Sequence, residues 1–92
     1  MVRFPLGRIV VAPAVLDLLE KEGLRAQEFI ARHASGDWGE LGESDRKKND
    51  EAVLHFGRLL SSYSLNGHRA VWVVTEADRS GTALLLVRLE DR

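Results

Sequence analysis

The order of apolar and polar positions divides the chain into a helical first half and a strand-rich second half. The run Ile9–Ala12 is short, apolar and rich in β-branched residues, which is typical of a strand. Pro13 suits the first turn of a following helix, and Gly23 suits its end. The pattern therefore predicts a helix over residues 13–22, whose apolar face recurs at helical spacing: Val15, Leu18 and Leu19.

Two more helices are predicted before the strands begin. The segment Leu24–His33 would form the second helix, and the turn-forming run Ser35–Gly39 would end it. Ser44 is a suitable N-cap for the third helix, which is expected to stop at Gly57. The second helix would place Ala26, Phe29, Ile30 and His33 on one face, and the third would do the same with Asn49, Ala52, Val53 and Phe56.

The remaining residues predict three antiparallel strands, at Leu59–Leu65, His68–Glu76 and Thr82–Leu89. Asn66 and Gly67 together are a strong signal for a two-residue hairpin turn, and such a turn sets the strand register. The first hairpin would then place Leu65 opposite His68, Tyr63 opposite Ala70, Ser61 opposite Trp72, and Leu59 opposite Val74.

These elements predict an α+β domain: a short N-terminal strand, two to three helices, and a three-stranded antiparallel meander. We expect the helices to pack on one face of the sheet. A chain of 92 residues can hardly cover both faces. The other face would keep either Trp72, Tyr63 and Leu59 or Leu60, Val71 and Val73, and a homodimer through the sheet is one way to cover it.

Composition narrows the classes of function for this single domain of residues 1–92. There is no cysteine, so disulfide scaffolds, zinc ribbons and thiol nucleophiles are excluded. The net charge is −1 and the basic residues are scattered, which disfavours nucleic-acid binding. No apolar run approaches the roughly 20 residues that span a bilayer, and no signal peptide is recognisable. We therefore expect a cytoplasmic protein without a cofactor, a metal site or membrane contact.

Three polar segments are candidates for chemistry. His33 is followed by Asp37 and Trp38, and a histidine oriented by a carboxylate can act as a general base. The structural alternative makes the same residues a helix end, a turn and a core plug. Another of the three segments, Ser61–Ser64, includes Tyr63 and can line a pocket, although the simpler interpretation is that these are ordinary strand residues.

The second polar segment is the predicted loop after the middle strand. Glu76 and Asp78 are two residues apart, so on an extended backbone they point the same way and can clamp a cation. Arg79 can bind a phosphate or a carboxylate. In the structural alternative, Asp78 and Ser80 satisfy backbone N–H groups and Arg79 pairs with an acid. A small-molecule pocket around Trp38, Tyr63 and Trp72 is a further possibility.

Three separated strings carry a family resemblance, namely Phe29–Glu40, Arg58–Tyr63 and Val71–Thr82. The first contains RHASGDWG and the last contains TEADRS. In these strings the chain resembles a family of small uncharacterised bacterial proteins that are often labelled plasmid-related. The resemblance extends from about Leu6 to Leu86 and implies a bacterial origin, but no particular activity.

The order of the predicted elements also resembles that of RelE/ParE-type toxins. That resemblance implies an RNA-acting enzyme, with His33 as acid or base, Arg79 as phosphate clamp and Tyr63 as positioning group. No nucleophile elbow, phosphate-binding loop or zinc motif is present.

We therefore favour a non-catalytic regulatory or protein-interaction module, with the RNA-acting enzyme as the alternative. Convergence of Arg58, Arg69 and Arg79 with His33 on a concave surface would favour the enzyme, and a flat apolar surface would favour the module. The candidate binding residues are Asp37, Trp38, Trp72, Glu76, Asp78 and Arg79.

Overall fold

A computed structural model describes residues 2–89. Its elements are β1 Arg8–Val11, α1 Pro13–Glu22, α2 Ala26–Ala34, α3 Glu43–His55, β2 Leu59–Ser64, β3 Arg69–Thr75 and β4 Gly81–Arg88. The four strands form one sheet in the order β1-β4-β3-β2. The core between helices and sheet draws on one face of the strands only. The predicted α+β class and the order of its elements are confirmed.

The N-terminal strand makes the sheet mixed. β1 runs parallel to β4, with Arg8 paired to Gly81 and Val11 to Leu84. Strands β2, β3 and β4 form the antiparallel meander that the sequence predicts. A parallel pair needs a long crossover connection, and here the helices and the first two meander strands supply it. Strands β1 and β2 are the two edge strands of the sheet.

Helices α1 and α2 lie close to their predicted positions. α1 spans the predicted residues and ends at Gly23, whose φ of 70° continues the chain in the left-handed region. α2 begins two residues later than predicted and ends one residue later. Both helices bury their apolar faces against the sheet in the main core, which consists of Val15, Leu19, Phe29, Tyr63, Val71, Val73 and Leu84.

Helix α3 differs from its prediction at both ends. Gly42, rather than Ser44, precedes the first turn, and the helix ends at His55. Phe56 adopts a left-handed conformation with φ of 57°, so its side chain leaves the helix face that buries Asn49 and is 69% exposed. The prediction that Phe56 shares the buried face is therefore wrong. None of the helices within residues 2–89 combines the length and the apolar character that crossing a bilayer requires.

The predicted register of the β2–β3 hairpin is wrong by one residue. Tyr63 lies opposite Val71 rather than Ala70, and Ser61 lies opposite Val73 rather than Trp72. The cause is the turn. Its loop has three residues, because the Leu65 N–H donates to the Arg69 carbonyl, while the Asn66 side chain accepts from the two N–H groups of residues 68 and 69.

This shift decides which side chains face the helices. Residues that are directly opposite share a face of the sheet, so Leu59, Ser61 and Tyr63 lie on the helix-covered face with Val71, Val73 and Thr75. Both predicted sets for the open face are therefore wrong, because each mixed side chains from the two faces. The other face, which we call the helix-free face, carries Val10, Leu60, Trp72, Val74, Ala83 and Leu85.

Candidate functional site

His33 is the centre of a buried hydrogen-bond network that links α2 to the sheet. Its Nδ1 atom lies 2.6 Å from Ser61 Oγ, and its Nε2 atom lies 2.8 Å from Thr75 Oγ1. Thr75 Oγ1 is 2.7 Å from Thr82 Oγ1, whose hydroxyl donates to the Leu6 carbonyl over 2.7 Å. The four side chains are buried. We call this chain of contacts the His33 network.

The Leu6 carbonyl fixes the direction of the hydrogen bonds from His33 Nε2 to Thr82 in the His33 network. A carbonyl oxygen only accepts, so Thr82 donates its single hydroxyl hydrogen to the Leu6 carbonyl. Thr75 must then donate to Thr82, which leaves its oxygen to accept from His33 Nε2–H. Because burial lowers the pKa of His33 to about 4, the ring is neutral at pH 7, so Nδ1 carries no proton and accepts from the Ser61 hydroxyl. The histidine is therefore held as the neutral Nε2–H tautomer.

The surroundings of His33 oppose its protonation. Burial lowers the pKa of His33 from 6.5 to about 4, and the charge of Arg79 acts in the same direction. The edges of the ring also contact aromatic groups, with centroids 5.3 Å from Phe4 and 5.7 Å from Trp38. A general base has to reach the proton that it abstracts. Both nitrogens of His33 are occupied inside the protein, so the residue acts here as a packing and hydrogen-bonding group.

Tyr63 is also engaged within the fold. Its hydroxyl donates to the Asp37 carbonyl over 2.6 Å, and burial raises its pKa to about 12. The guanidinium of Arg32 lies 4.4 Å from the Tyr63 ring and bonds the Asp37 carboxylate at 2.7 Å. That bond holds the pKa of Asp37 below its usual range. Tyr63 and Asp37 therefore fix the turn after α2.

Arg79 connects the end of α3 to the β3–β4 loop. Its Nη2 donates to the Ala52 carbonyl at 2.8 Å, and its Nη1 donates to the Gly57 carbonyl at 2.7 Å. Nη1 also reaches the Glu76 and Ala77 carbonyls, at 3.1 and 3.2 Å. The buried guanidinium thus ties carbonyl oxygens at the end of α3 to carbonyl oxygens of the β3–β4 loop. The structural alternative holds in part: Asp78 accepts from the Ser80 N–H, but the prediction that Arg79 pairs with an acid is wrong, because its partners are backbone carbonyls.

The other candidate binding residues lie in separate places. Trp38 is buried and donates to Asp50 at 3.0 Å, while Trp72 is half-buried on the helix-free face. Glu76 is exposed, 3.8 Å from Arg58, and Asp78 accepts from the Ser80 N–H at 2.9 Å. Across residues 2–89, no group of three histidine or acidic side chains is placed to hold a metal ion.

The three arginines whose convergence with His33 would favour the enzyme do not converge. Arg58 lines the helix-free face, and Arg79 is buried beside α3. Arg69 lies at the opposite end of β3, where its backbone is aligned with that of Arg88 in β4. His33 has no access to any of these surfaces. The structure thus places His33, Tyr63 and Arg79 in the fold's interior, where each side chain is engaged in hydrogen bonds. It does not bring the three arginines together with His33 on one concave surface.

The helix-free face carries a shallow apolar depression. Leu60, Trp72, Val74 and Leu85 line it together with Arg58, and its volume is about 240 Å³. Leu85 is 41% exposed, and Val10, on the same face of β1, is 55% exposed. The Arg58–Glu76 pair lies at one margin. An apolar centre with a charged margin is the usual composition of a protein-binding surface.

The outer edge of β2 is closed by its own chain. Asn49 bonds both backbone groups of Leu60, donating to its carbonyl at 2.7 Å and accepting from its N–H at 3.2 Å. The Ser62 N–H donates to the Trp38 carbonyl, and the Ser62 carbonyl accepts from the Glu40 N–H at 2.7 Å. The Glu40 carboxylate then accepts from the Ser64 N–H at 3.0 Å. This edge therefore has no free backbone groups to pair with another strand between Leu60 and the Ser64 N–H.

The outer edge of β1 is open. The N–H groups of Arg8 and Ala12 point toward β4 and donate to the carbonyls of Ser80 and Leu84, at 3.1 Å each. Because successive residues of a strand alternate in direction, the backbone groups of Ile9 and Val11 point outward. No residue between 2 and 89 bonds those outward groups. Unpaired strand edges are templates for pairing with another chain, and proteins usually protect them. The two ends of this sheet therefore differ in kind.

Sequence reasoning missed the residues that build these features. Ser61 lies in one of the candidate segments, and Thr75 and Thr82 are predicted strand positions, but nothing in the sequence places the three beside His33, because their alignment on one face becomes visible only with the correct register. Asn49 carried a signal, because it lies on the same helix face as Ala52 and Val53 in an otherwise polar helix. No protein-family model, curated protein or solved structure matches this chain.

Proposed function

We propose that this domain is a non-catalytic protein-interaction module of the bacterial cytosol, and that it binds its partner through the helix-free face. The observation that carries the proposal is the exposed apolar centre of that face. Leu60, Trp72 and Leu85 surround a depression that no helix within residues 2–89 covers. Exposed apolar patches rimmed by polar residues are typical of interaction sites.

The site has the properties of an anchor for a protein side chain. Trp72 is half-buried and lines the depression together with aliphatic side chains, and aromatic residues that a partner buries completely often dominate binding energy. The depression is shallow and has one charged margin, so it offers few of the convergent polar groups that orient a small substrate. Both a second copy of the chain and a different protein fit these properties.

Site-specific photo-crosslinking in cells tests the proposal. A photoreactive amino acid at Leu85 would lie on the helix-free face, and the same amino acid at Leu16, on the exposed side of α1, is the control because that position is 50% exposed. We expect discrete protein adducts from position 85 that disappear in the Trp72→Lys background. Equal labelling from both positions, or no adduct at position 85, would contradict the proposal.

The alternative, an RNA-acting enzyme, receives no support from the described geometry, since its three candidate residues are buried. Incubation of the pure protein with RNA is the direct check. Cleavage that Tyr63→Phe and Arg79→Lys both abolish, while Arg58→Lys does not, would revive it.

A further inference from the structure

We propose that a second copy of this chain pairs with the open edge of β1, so that two sheets join into one continuous sheet of eight strands. The inference deepens the proposed function, because it would double the helix-free face. It is carried by the contrast between the two edges of the sheet. The β2 edge is closed by Asn49, Trp38 and Glu40, whereas the β1 edge presents unpaired backbone groups at Ile9 and Val11.

The spacing of the outward groups suits an antiparallel copy of the same strand. If Ile9 pairs with Val11 of the second copy, the two residues exchange both of their outward N–H and C=O groups, and the symmetric pair does the same. Four backbone hydrogen bonds result from two residues in each chain. The two-fold axis passes between the two Val10 residues, which form the closer, non-hydrogen-bonded pair.

The side chains are compatible with this register. Arg8 is the only charged residue of β1, and it would lie opposite Ala12 rather than opposite a second arginine. The three remaining strand residues are β-branched and apolar, and both Ile9 and Val10 are already exposed. The contact would therefore bring β-branched side chains together across the pair and oppose no like charges.

The symmetry has a consequence for the helix-free face. A two-fold axis between antiparallel neighbours is perpendicular to the sheet, so both copies present the same face on the same side. All helices would lie on one side of the joined sheet. Val10, Ala83 and Leu85 of each copy would become one apolar strip that crosses the axis, with a Trp72 on either side. A partner would then meet two equivalent depressions.

Cysteine cross-linking tests the register directly. The chain has no cysteine, so each single substitution introduces the only thiol. In the proposed pair the Cα atoms of the two residues at position 10 are about 4.5 Å apart, which a disulfide can bridge. Two residues at position 9 would be offset along the strands by two residues, beyond that reach. With a mild oxidant such as copper phenanthroline, we expect Val10→Cys to shift to a covalent dimer, while Ile9→Cys and Leu16→Cys remain monomers in denaturing gels.

Analytical ultracentrifugation gives the second measurement. The unmodified chain should sediment as a dimer, and Val10→Lys should shift it to the monomer because two ammonium groups would face each other on the axis. Leu16→Lys adds the same charge at an exposed position of α1 and should leave the dimer intact. A monomer at every concentration, or a dimer that Val10→Cys fails to cross-link, would overturn the inference. In either case adducts from Leu85 would still support the proposed function, and their absence would count against that function alone.

Discussion

The Nδ1 atom of His33 lies 2.6 Å from the hydroxyl oxygen of Ser61, and neither residue has any exposed surface. The contact joins the last turn of α2 to the third residue of edge strand β2. It is one end of a directed series of donors that finishes at the Leu6 carbonyl. A buried polar network of this kind stabilises one arrangement of its elements only when every member is satisfied, and in residues 2–89 no buried side-chain polar atom lacks a partner.

The first prediction concerns the tautomer of His33. The donor order requires the proton on Nε2, with Nδ1 accepting from Ser61. Long-range ¹H–¹⁵N correlation spectra at pH 7 should show a single Nε2–H tautomer for His33. The exposed His68 gives a second histidine signal in the same spectra for comparison. A ring protonated on Nδ1 and not on Nε2 would contradict this donor order, because Thr75 would then donate to Nε2 and Thr82 could no longer donate to the Leu6 carbonyl.

The second prediction is a loss of stability in mild acid. The pKa of His33 is about 4 in the folded protein and 6.5 when it is unperturbed. The unfolded chain therefore binds more protons between these values, and the free energy of unfolding falls as the pH falls from 6.5 to 4. The loss should approach about 3 kcal/mol and then level off, since 1 pKa unit corresponds to about 1.4 kcal/mol.

Urea denaturation at pH 7 and pH 4.5 measures that loss. His68→Gln, which changes an exposed histidine, should keep the dependence of the unmodified protein. His33→Gln should have a lower free energy of unfolding at pH 7 and a flatter dependence between the two pH values. If the pH dependence of His33→Gln equals that of the unmodified chain, the titrating group lies elsewhere.

The third prediction separates two neighbouring serines. Ser61→Ala leaves His33 Nδ1 buried without a donor, and an unsatisfied buried group costs about 1–3 kcal/mol. Ser62→Ala removes a half-buried hydroxyl from the opposite face, where substitutions usually change stability by less than about 0.5 kcal/mol. Chemical denaturation of both variants checks the difference. Equal effects would show that the His33–Ser61 contact adds little to stability.

The fourth prediction concerns the end of α3. Arg79 donates to four carbonyls, and a lysine presents a single ammonium group that cannot span them. Arg79→Lys should therefore lower the free energy of unfolding by about 2–4 kcal/mol, since bonds from charged donors are worth about 1.5–3 kcal/mol each. Arg58→Lys changes an exposed ion pair and should cost no more than about 1 kcal/mol. Similar losses in both variants would contradict the role given to Arg79.

Sequence patterns located the elements well and the network poorly, for physical reasons. Helical and strand periodicity is a local property, so α1 and the three meander strands were predicted to within a residue or two. Register depends on the turn, and the side chain of Asn66 converted a two-residue turn into a three-residue loop. That single shift moved Tyr63 and Ser61 to the helix-covered face and made the His33 contacts unpredictable. The closure of the β2 edge also depends on distant residues, and no local pattern encodes it.

The last prediction tests that closure through Gly39. This residue forms a bridge with Ser62 and has φ of 75°, and a Cβ there would overlap the Ser62 carbonyl. Gly67 is the matched control, since its φ is 84° and a Cβ would meet no atom within 4 Å. Gly67→Ala should cost about 1–2 kcal/mol for the left-handed backbone alone. Gly39→Ala should cost about 1–3 kcal/mol more, because the overlap must move residues 38–40 away from β2.

That movement would free the Ser62 backbone groups, so amide hydrogen exchange at Ser62 and Ser64 should increase in Gly39→Ala and remain unchanged in Gly67→Ala. Exchange that stays slow in both variants would show that the edge is protected by something other than this bridge.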